Sequence, residues 1–358
     1  MKTEVKSTKI FVGLSGGVDS SVAAALLVEQ GYDVVGVYMK NWSRDVAGHH
    51  CPWQEDLTSA RSVAAHLQIP LKIYDFEKEY YESVTQYMLE SYKSGLTPNP
   101  DVMCNQKIKF DTFYKKCLED GADYIATGHY AVMEDGKLMV AKDPNKDQTY
   151  FLYRMNPSIA QKVLFPIGDL HKSEVRELAS KYNLPTAKRP DSQGLCFVGN
   201  VPMRDFLSEF IEPKLGDIVD ESGNKLGEHN GAFSYTIGQR HGLGIGGGQP
   251  YFVYEVDTKH NIVRVTSDES SPLLNRTEFV IADCVWWDTS KTEVKMQKLE
   301  VRVRYRSKTI PCSLESIQKD KYRVVLSKPE RAIAPGQSAV FYEGDIVVGG
   351  GIIQPWEN

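Results

Sequence analysis

Residues 10–27 read IFVGLSGGVDSSVAAALL. The apolar run predicts a strand over Lys9–Leu14. The small-residue pattern after it predicts a helix over Ser20–Gln30, stopped at Gly31. Between them lies Ser15-Gly16-Gly17-Val18-Asp19-Ser20. A helix start leaves backbone N–H groups unpaired and carries the positive end of the helix dipole, so a glycine-rich loop there receives a phosphate. The hydroxyls of Ser15, Ser20 and Ser21 add donors. No Gly-Lys-Ser/Thr follows, so this is not the P-loop, and no lysine of the motif grips a β/γ-phosphate bridge. The plainer reading is a glycine-rich turn capped by Ser or Asp. Against it stands the joint occurrence of strand, SGG-x-DS and helix.

Outward from this loop, strand-like and helix-like segments alternate. Strands are expected at Asp33–Met39, Leu71–Asp75 and Tyr124–Thr127, and helices at Leu57–Leu67, Glu79–Tyr92, Lys107–Glu119 and Lys172–Tyr182. Such alternation predicts an α/β domain with a doubly wound parallel sheet, which binds ligands beyond the carboxyl ends of its strands. From about Lys214 glycines become frequent and the helical period disappears. The runs YFVYEVD, NIVRVTS, LEVRVRYRS, YRVVLS and SAVFYEGDIVVGGGIIQ read as short antiparallel strands with tight turns. The expected domains are residues 1–213 (nucleotide-binding and catalytic), a small central glycine-rich β domain at 214–276, and an antiparallel β-barrel at 277–358.

Composition bounds the function. The 358 residues exceed one ordinary core. A net charge of −5 argues against a wholesale basic nucleic-acid binder, though not against a local basic patch. No apolar stretch approaches the ~20 residues of a membrane helix, and the polar N-terminus lacks the pattern of a signal or transit peptide. A cytoplasmic protein is therefore expected.

Six cysteines, at 51, 104, 117, 196, 284 and 312, form no CxxC pair. Around Cys104 the chain reads TPNPDVMCNQKIKF. Each proline fixes its own φ and keeps the preceding residue extended, so Asn99, Asp101 and Cys104 are expected on a stiffened loop before the Lys107 helix. Lys107 and Lys109 near a helix N-terminus favour a thiolate at Cys104; a buried structural cysteine is the alternative. Cys196, in RPDSQGLCFVG, is expected on a loop. Cys117, Cys284 and Cys312 fall in helix or strand patterns and read as structural. His49-His50-Cys51 has the look of metal ligands, but no matching pair stands nearby, so no metal is assigned there.

SGGVDS matches the signature of the PP-loop ATP pyrophosphatases, which split ATP between its α and β phosphates. Together with NPDVMCN at 99–105, ATGHYA at 126–131, KDQTYFL at 146–152, DSQGLCFVG at 191–199, YTIGQRHGLGIG at 235–246 and GQSAVFYEGDIVVGGGII at 336–353, it makes the whole chain resemble the tRNA-specific 2-thiouridylases. That family replaces the C2 oxygen of the wobble uridine by sulfur in the tRNAs for Lys, Glu and Gln. The resemblance implies that ATP sits on Gly13, Leu14, Ser15, Gly16, Gly17, Val18, Asp19 and Ser20, with Met39 and Gly128 near its adenosine part. It implies that Asp19 helps to bind a Mg²⁺–pyrophosphate moiety. Asn99, Pro100 and Asp101 would hold the target base, with Asp101 as acid/base. Cys196 would carry a persulfide received from a sulfur-donor protein. Its sulfur attacks the adenylated C2 and AMP leaves. Cys104 then attacks the inner sulfur, leaving a Cys104–Cys196 disulfide to be reduced. An iron–sulfur cluster on the same thiols with a third ligand is the other scheme these residues allow.

A tRNA partner needs phosphate contacts and room for a splayed base. In LEVRVRYRSK, residues 299–308, Arg302, Arg304, Arg306 and Lys308 fall at period two and are expected to line one strand face opposite Val301, Val303 and Tyr305. A merely solvated outer face is the alternative. The resemblance implies tRNA contacts at Arg304 and Tyr305 and at Lys146, Asp147 and Gln148. Two other readings remain: a PP-loop ligase for a small molecule, which leaves both cysteines and the basic strand unexplained, and a nucleotide-gated RNA-binding module that needs neither cysteine.

Overall fold

The computed structural model describes residues 8–191, 198–199, 201–246, 248–287 and 299–356. Cys196 lies outside the described residues. The chain divides into two compact units: Met1–Val84 with Asp101–Val201 and Asp345–Val347, and Thr85–Pro100 with Pro202–Gly344 and Val348–Asn358.

The first unit is built on a five-stranded parallel sheet. Its strands are β1 (Lys9–Gly13), β2 (Asp33–Lys40), β3 (Leu71–Asp75), β4 (Tyr124–Ala126) and β7 (Val163–Leu164), in the order β3-β2-β1-β4-β7. Ile10, Phe11 and Val12 of β1 are all buried, as expected of a strand covered on both faces. Helices α1 (Val18–Glu29) and α2 (Trp53–His66) pack Ala24, Leu27, Leu57, Ala60 and Val63 against β1 and β2. Helix α8 (Lys172–Lys181) packs Val175 and Ala179 on Val18 and Val22 of α1. Strand order reverses at β1, between β2 and β4, and such a switch point opens a crevice at the carboxyl ends of the strands.

Two helices differ from expectation. The helix expected over Glu79–Tyr92 starts at Glu77, passes through a π turn at Tyr81–Thr85 and resumes over Gln86–Lys93. The segment expected as loop before Lys107 is already helical: α5 covers Pro100–Met103, a π segment Cys104–Thr112, and α6 Phe113–Glu119. Pro100 explains this, because a proline at the first helical position loses no hydrogen bond and brings a helical φ. Asp101 and Cys104 are therefore helical residues.

A hairpin of β5 (Val132–Glu134) and β6 (Lys137–Met139) turns at Asp135-Gly136, both with positive φ, the Asp-Gly turn that fits strand twist. Sequence reading did not pick it out.

The second unit holds two β assemblies. In the first, β8 (Leu215–Val219), β9 (Lys225–Asn230), β10 (Phe252–Asp257) and β11 (Ile262–Thr266) run in the order β10-β11-β8-β9. Here β11 and β8 are parallel, where only antiparallel pairing was expected. In the second, β12 (Asn275–Trp286), β13 (Leu299–Arg302), β14 (Ile310–Gln318), β15 (Lys321–Arg331), β16 (Ser338–Glu343) and β17 (Ile346–Ile353) follow the order β12-β15-β14-β13-β16-β17, and β12 also pairs with β17. This closes an antiparallel barrel around Ile281, Val301, Val324 and Phe341.

The basic strand is shorter than expected. It ends at Arg302, and Ser307 N donates to Arg304 O in a turn that sets Arg306 at φ 63°. Arg304, Arg306 and Lys308 are still exposed, and Val301 and Val303 buried, but on a turn rather than on one strand face.

Phe341→Ala should remove about 3–5 kcal/mol from the barrel transition in urea denaturation, as expected for a fully buried aromatic. Ile317→Ala, 47% exposed on the same barrel, should change it by no more than about 0.5 kcal/mol.

Candidate nucleotide and thiol sites

The loop after β1 takes its shape from one peptide group. Gly16 has φ 81°, and a Cβ there would lie 2.4 Å from Asp56 O, so only glycine fits. Its carbonyl accepts from Arg189 Nη1 at 2.8 Å and from Ser59 Oγ at 2.9 Å. Because a peptide's C=O and N–H point oppositely, these two donors hold the Gly17 N–H on the other side, where it meets Ser15 Oγ at 3.3 Å. The Ser20 and Ser21 hydroxyls donate to Gly17 O at 3.2 and 2.7 Å and fasten the loop to the first turn of α1. Gly128, two residues past β4, closes on that turn: a Cβ there would lie 2.5 Å from Ser20 N and 2.7 Å from Asp19 C. Met39 approaches from β2, its Cε 3.2 Å from where a Gly13 Cβ would sit. The structure thus gathers Gly13–Ser20, Met39 and Gly128 at the carboxyl ends of β1, β2 and β4.

The cation absent from the motif arrives from elsewhere. Lys172 Nζ lies 2.6 Å from Asp19 Oδ1 and 2.9 Å from Asp191 Oδ1. It is the first residue of α8, at the positive end of a helix dipole, where a cation is disfavoured; the two carboxylates compensate. Asp191 also takes Lys146 at 2.7 Å and Arg176 at 2.5 Å. Burial would raise the Asp191 carboxyl, but the Lys146 and Lys172 hydrogen bonds outweigh it and hold it far below the usual carboxylate range. Tyr130 donates to Asp19 Oδ1 at 2.9 Å, and burial, followed by the Asp19 charge, pushes its phenol up. Sequence reading missed Lys172, Arg189, Ser59 and Tyr130 as members of this site.

Cys104 is fully buried. The next residue, Asn105, donates to Phe151 O at 3.1 Å, and Arg154 Nε donates to Gln106 Oε1 at 2.7 Å. Of the two lysines expected to favour a thiolate, Lys107 is exposed and Lys109 faces His129 Nε2 at 3.3 Å. Burial, with the Lys109 charge adding to it, holds His129 well below its ordinary value. The neutral ring accepts from Lys109 at Nε2 and donates from Nδ1 to Thr127 Oγ1 at 2.7 Å.

In the second unit, the TPNP loop is pinned within its own fold. Asn99 Nδ2 donates to Gln337 Oε1 at 3.0 Å, and Ser338 N donates to Asn99 Oδ1 at 2.7 Å. Gln337 Nε2 donates to Thr97 O at 2.8 Å. Arg304 Nη2 donates to Arg331 O at 2.9 Å, and Tyr305 is half-buried beside it in the turn.

The 146–148 segment divides. Asp147 is buried and accepts from the Thr149 hydroxyl at 2.9 Å, and Gln148 Oε1 accepts from Tyr130 N at 2.9 Å. Lys146 keeps its ammonium on Asp191. Among the described residues no three His, Cys, Asp or Glu side chains converge as a metal site, and His50 sits exposed between Asp45 and Glu55. Cys117 and Cys312 are structural in character: burial raises both thiols, Cys312 to about 12. No helix among the described residues is long and apolar enough to cross a membrane.

Three family models match the chain: the tRNA methyl transferase HUP domain over residues 8–200, the tRNA methyl transferase PRC-barrel domain over 204–267, and the aminomethyltransferase beta-barrel domain over 276–353. The tRNA-specific 2-thiouridylase MnmA of Francisella philomiragia is 44% identical over 359 residues, covering 98% of this chain and 100% of the relative. The protein of that name from Neisseria meningitidis is 45% identical, covering 99% and 97%. Among solved structures, a 4-thiouridine synthetase–RNA complex with bound ATP aligns at 17% identity over 55% of this chain and 46% of that one, with a TM-score of 0.35, too slight a likeness to argue from. With near-complete mutual coverage at this identity, the chain belongs to the tRNA-specific 2-thiouridylase family.

Proposed function

We infer that this chain is an ATP-dependent tRNA uridine 2-sulfurtransferase. The observation that carries the reading is the Gly13–Ser20 loop, with Gly128 closed on it and Lys172 brought to Asp19, in a chain whose full-length relatives bear the 2-thiouridylase name. Two matched models have methyl transferase in their descriptions; the full-length coverage of the relatives favours thiolation. The division into residues 1–213, 214–276 and 277–358 belongs to this reading.

In this reading the target is the wobble uridine of the tRNAs for Lys, Glu and Gln. The C2 oxygen attacks the α-phosphorus of ATP and pyrophosphate leaves. That converts a poor leaving group into AMP. The glycine-rich turn at the start of α1, its Gly16 carbonyl taken up by Arg189 and Ser59, serves as the phosphate cradle, and Lys172 supplies the cation for the pyrophosphate half. Asp19 fits Mg²⁺, which takes one or two carboxylates together with phosphate oxygens and water; both of its hydrogen-bonded partners named above use Oδ1. When bound, the ion neutralises pyrophosphate charge.

Cys196 carries the persulfide delivered by a donor protein. Its outer sulfur bonds to C2 as AMP leaves. Cys104 then attacks the inner sulfur, the S–S bond breaks toward the sulfur on C2, and 2-thiouridine and a Cys104–Cys196 disulfide result. An external thiol reductant restores both cysteines. Asp101 is the acid/base, Pro100 borders the base, Asn99 fixes the loop that presents it, and Lys146, with the Asp147–Gln148 backbone, Arg304 and Tyr305 contact tRNA. Such a reaction belongs in the cytoplasm, where tRNA and reductant are at hand.

With ATP, Mg²⁺, a persulfide donor and unmodified tRNA, the protein should produce AMP and 2-thiouridine, measured by chromatography and by mass spectrometry of tRNA digests. Absence of both with a competent donor overturns the reading. Cys196→Ser should abolish transfer from a protein persulfide; thiolation at the normal rate would remove Cys196 as carrier.

Gly128→Ala should weaken ATP binding about tenfold or more in calorimetry, a change of about 1.4 kcal/mol, because its methyl group displaces the first turn of α1. Lys172→Met should weaken ATP by a similar factor while leaving AMP affinity within about twofold, as expected of a cation that meets only the leaving phosphates.

A further inference from the structure

Two arginines of the second unit stand over aromatic rings, and they differ in one respect. Arg331 lies over Phe252, its guanidinium carbon 4.5 Å from the ring centre, and pairs with Glu269. Arg276 lies over Trp356 at 4.0 Å and has no carboxylate or carbonyl partner among the described residues. The acid nearest to it by register is Glu330: Arg276 stands opposite Glu330 in the antiparallel β12–β15 pair, and opposed residues share a face of the sheet. Glu330 is engaged elsewhere, its Oε1 lying 3.8 Å from Arg304 Nη2. Burial accordingly pulls the Arg276 guanidinium below its ordinary value, and no neighbouring charge offsets it. Trp356 packs in turn on the barrel core, so the ring is a fixed support. The indole attracts the cation through its π face but offers no oxygen to the N–H donors of the guanidinium. The half-buried charge of Arg276 therefore lacks the anion that Arg331 has.

We propose that Arg276, seated on Trp356, binds a phosphodiester group of the tRNA and extends the surface that begins at Arg304 and Tyr305. Two non-bridging oxygens of one phosphate match the paired N–H groups of a guanidinium, and contacts of this kind supply much of the affinity for a nucleic acid. The local charge suits an anion. Arg306, on the turn that carries Arg304, stands 5.1 Å over Tyr305, again with no carboxylate partner among the described residues. Arg276, Arg304 and Arg306 thus stand against the single carboxylate of Glu330. A cation placed only to brace the barrel is given an acid, as Arg331 is by Glu269. In this role Arg276 fixes the RNA on the barrel and reads no base, because a phosphate carries no sequence information. The proposal rests on the tRNA reading given above and adds to it a contact that neither the family resemblance nor the basic run at 302–308 indicated.

The test is the affinity of the full-length protein for unmodified tRNA, measured by fluorescence anisotropy across a series of KCl concentrations. Arg276→Gln should weaken binding about tenfold, as expected for the loss of one charge-assisted pair. The plot of log affinity against log salt should become shallower by about 0.7–0.9, the share of one phosphate contact. Arg276→Lys, which keeps the charge without the fork, should retain the slope and recover part of the affinity. A merely structural role would lower the melting temperature of Arg276→Gln and leave affinity and slope as in the wild type, which overturns the proposal. Affinity lost at an unchanged slope would mark a stacking contact with a base and overturns it as well. Should Arg276→Gln fail to fold, phenylglyoxal labelling of the wild-type protein decides, followed at Arg276 by mass spectrometry. Bound tRNA should slow that modification, and an equal rate with and without tRNA overturns the proposal. Wild-type protein that binds no tRNA at all would strike the function proposed above together with this contact, whereas wild-type binding matched by Arg276→Gln strikes the contact alone.

Discussion

The orientation of one peptide, Gly16–Gly17, sets the character of the site. Two side-chain donors from distant segments, Arg189 and Ser59, hold its carbonyl, and the positive φ of Gly16 together with the close approach of Asp56 O excludes a side chain. With the carbonyl engaged by these donors, the Gly17 N–H on the opposite side of the peptide meets Ser15 Oγ. The next peptide bears on the first turn of α1, its Gly17 carbonyl accepting from the Ser20 and Ser21 hydroxyls, and Gly128 reaches that turn only because it too lacks a Cβ. Loop, helix start and the end of β4 therefore form one unit of geometry, located where strand order reverses.

Electrostatics explains why such a loop needs no lysine of its own. A cation fixed within the loop stands in place whether or not a phosphate is present. Here it comes from the start of α8, against the helix dipole, and two carboxylates satisfy it. In the proposed reading the carboxylates stand where phosphate oxygens would, so that binding would exchange Lys172 ion pairs with Asp19 and Asp191 for ion pairs with phosphate.

Much of this was legible in the sequence, and the exceptions have physical causes. Strands β1–β4 announce themselves as apolar runs between helical patterns, and the phosphate loop is read from local chemistry alone. Lys172 was read only as the start of an amphipathic helix, because its partner Asp19 lies 153 residues away and no local pattern records that approach. Pro100 misled in the other direction: the rule that keeps Asn99 extended was applied to the residues after the proline, where the same ring begins a helix. The basic run at 302–308 kept its alternating exposure while leaving the strand, since period two is a property of side-chain alternation and does not reveal where backbone pairing ends. The Asp135-Gly136 hairpin carried a sound turn signal that went unused.

The TPNP loop shows how a residue's type can suggest recognition while its bonds define support. An asparagine before a proline invites the reading of a base-contacting amide. Yet both ends of the Asn99 amide have protein partners, Gln337 and Ser338, and Gln337 in turn holds Thr97 O. Gly336 lies against the same loop so closely that a Cβ would come within 2.9 Å of Thr97 N. An amide engaged in this way fixes the turn more than it reads a ligand. Asn99 matters because it sets the direction in which the chain enters helix α5.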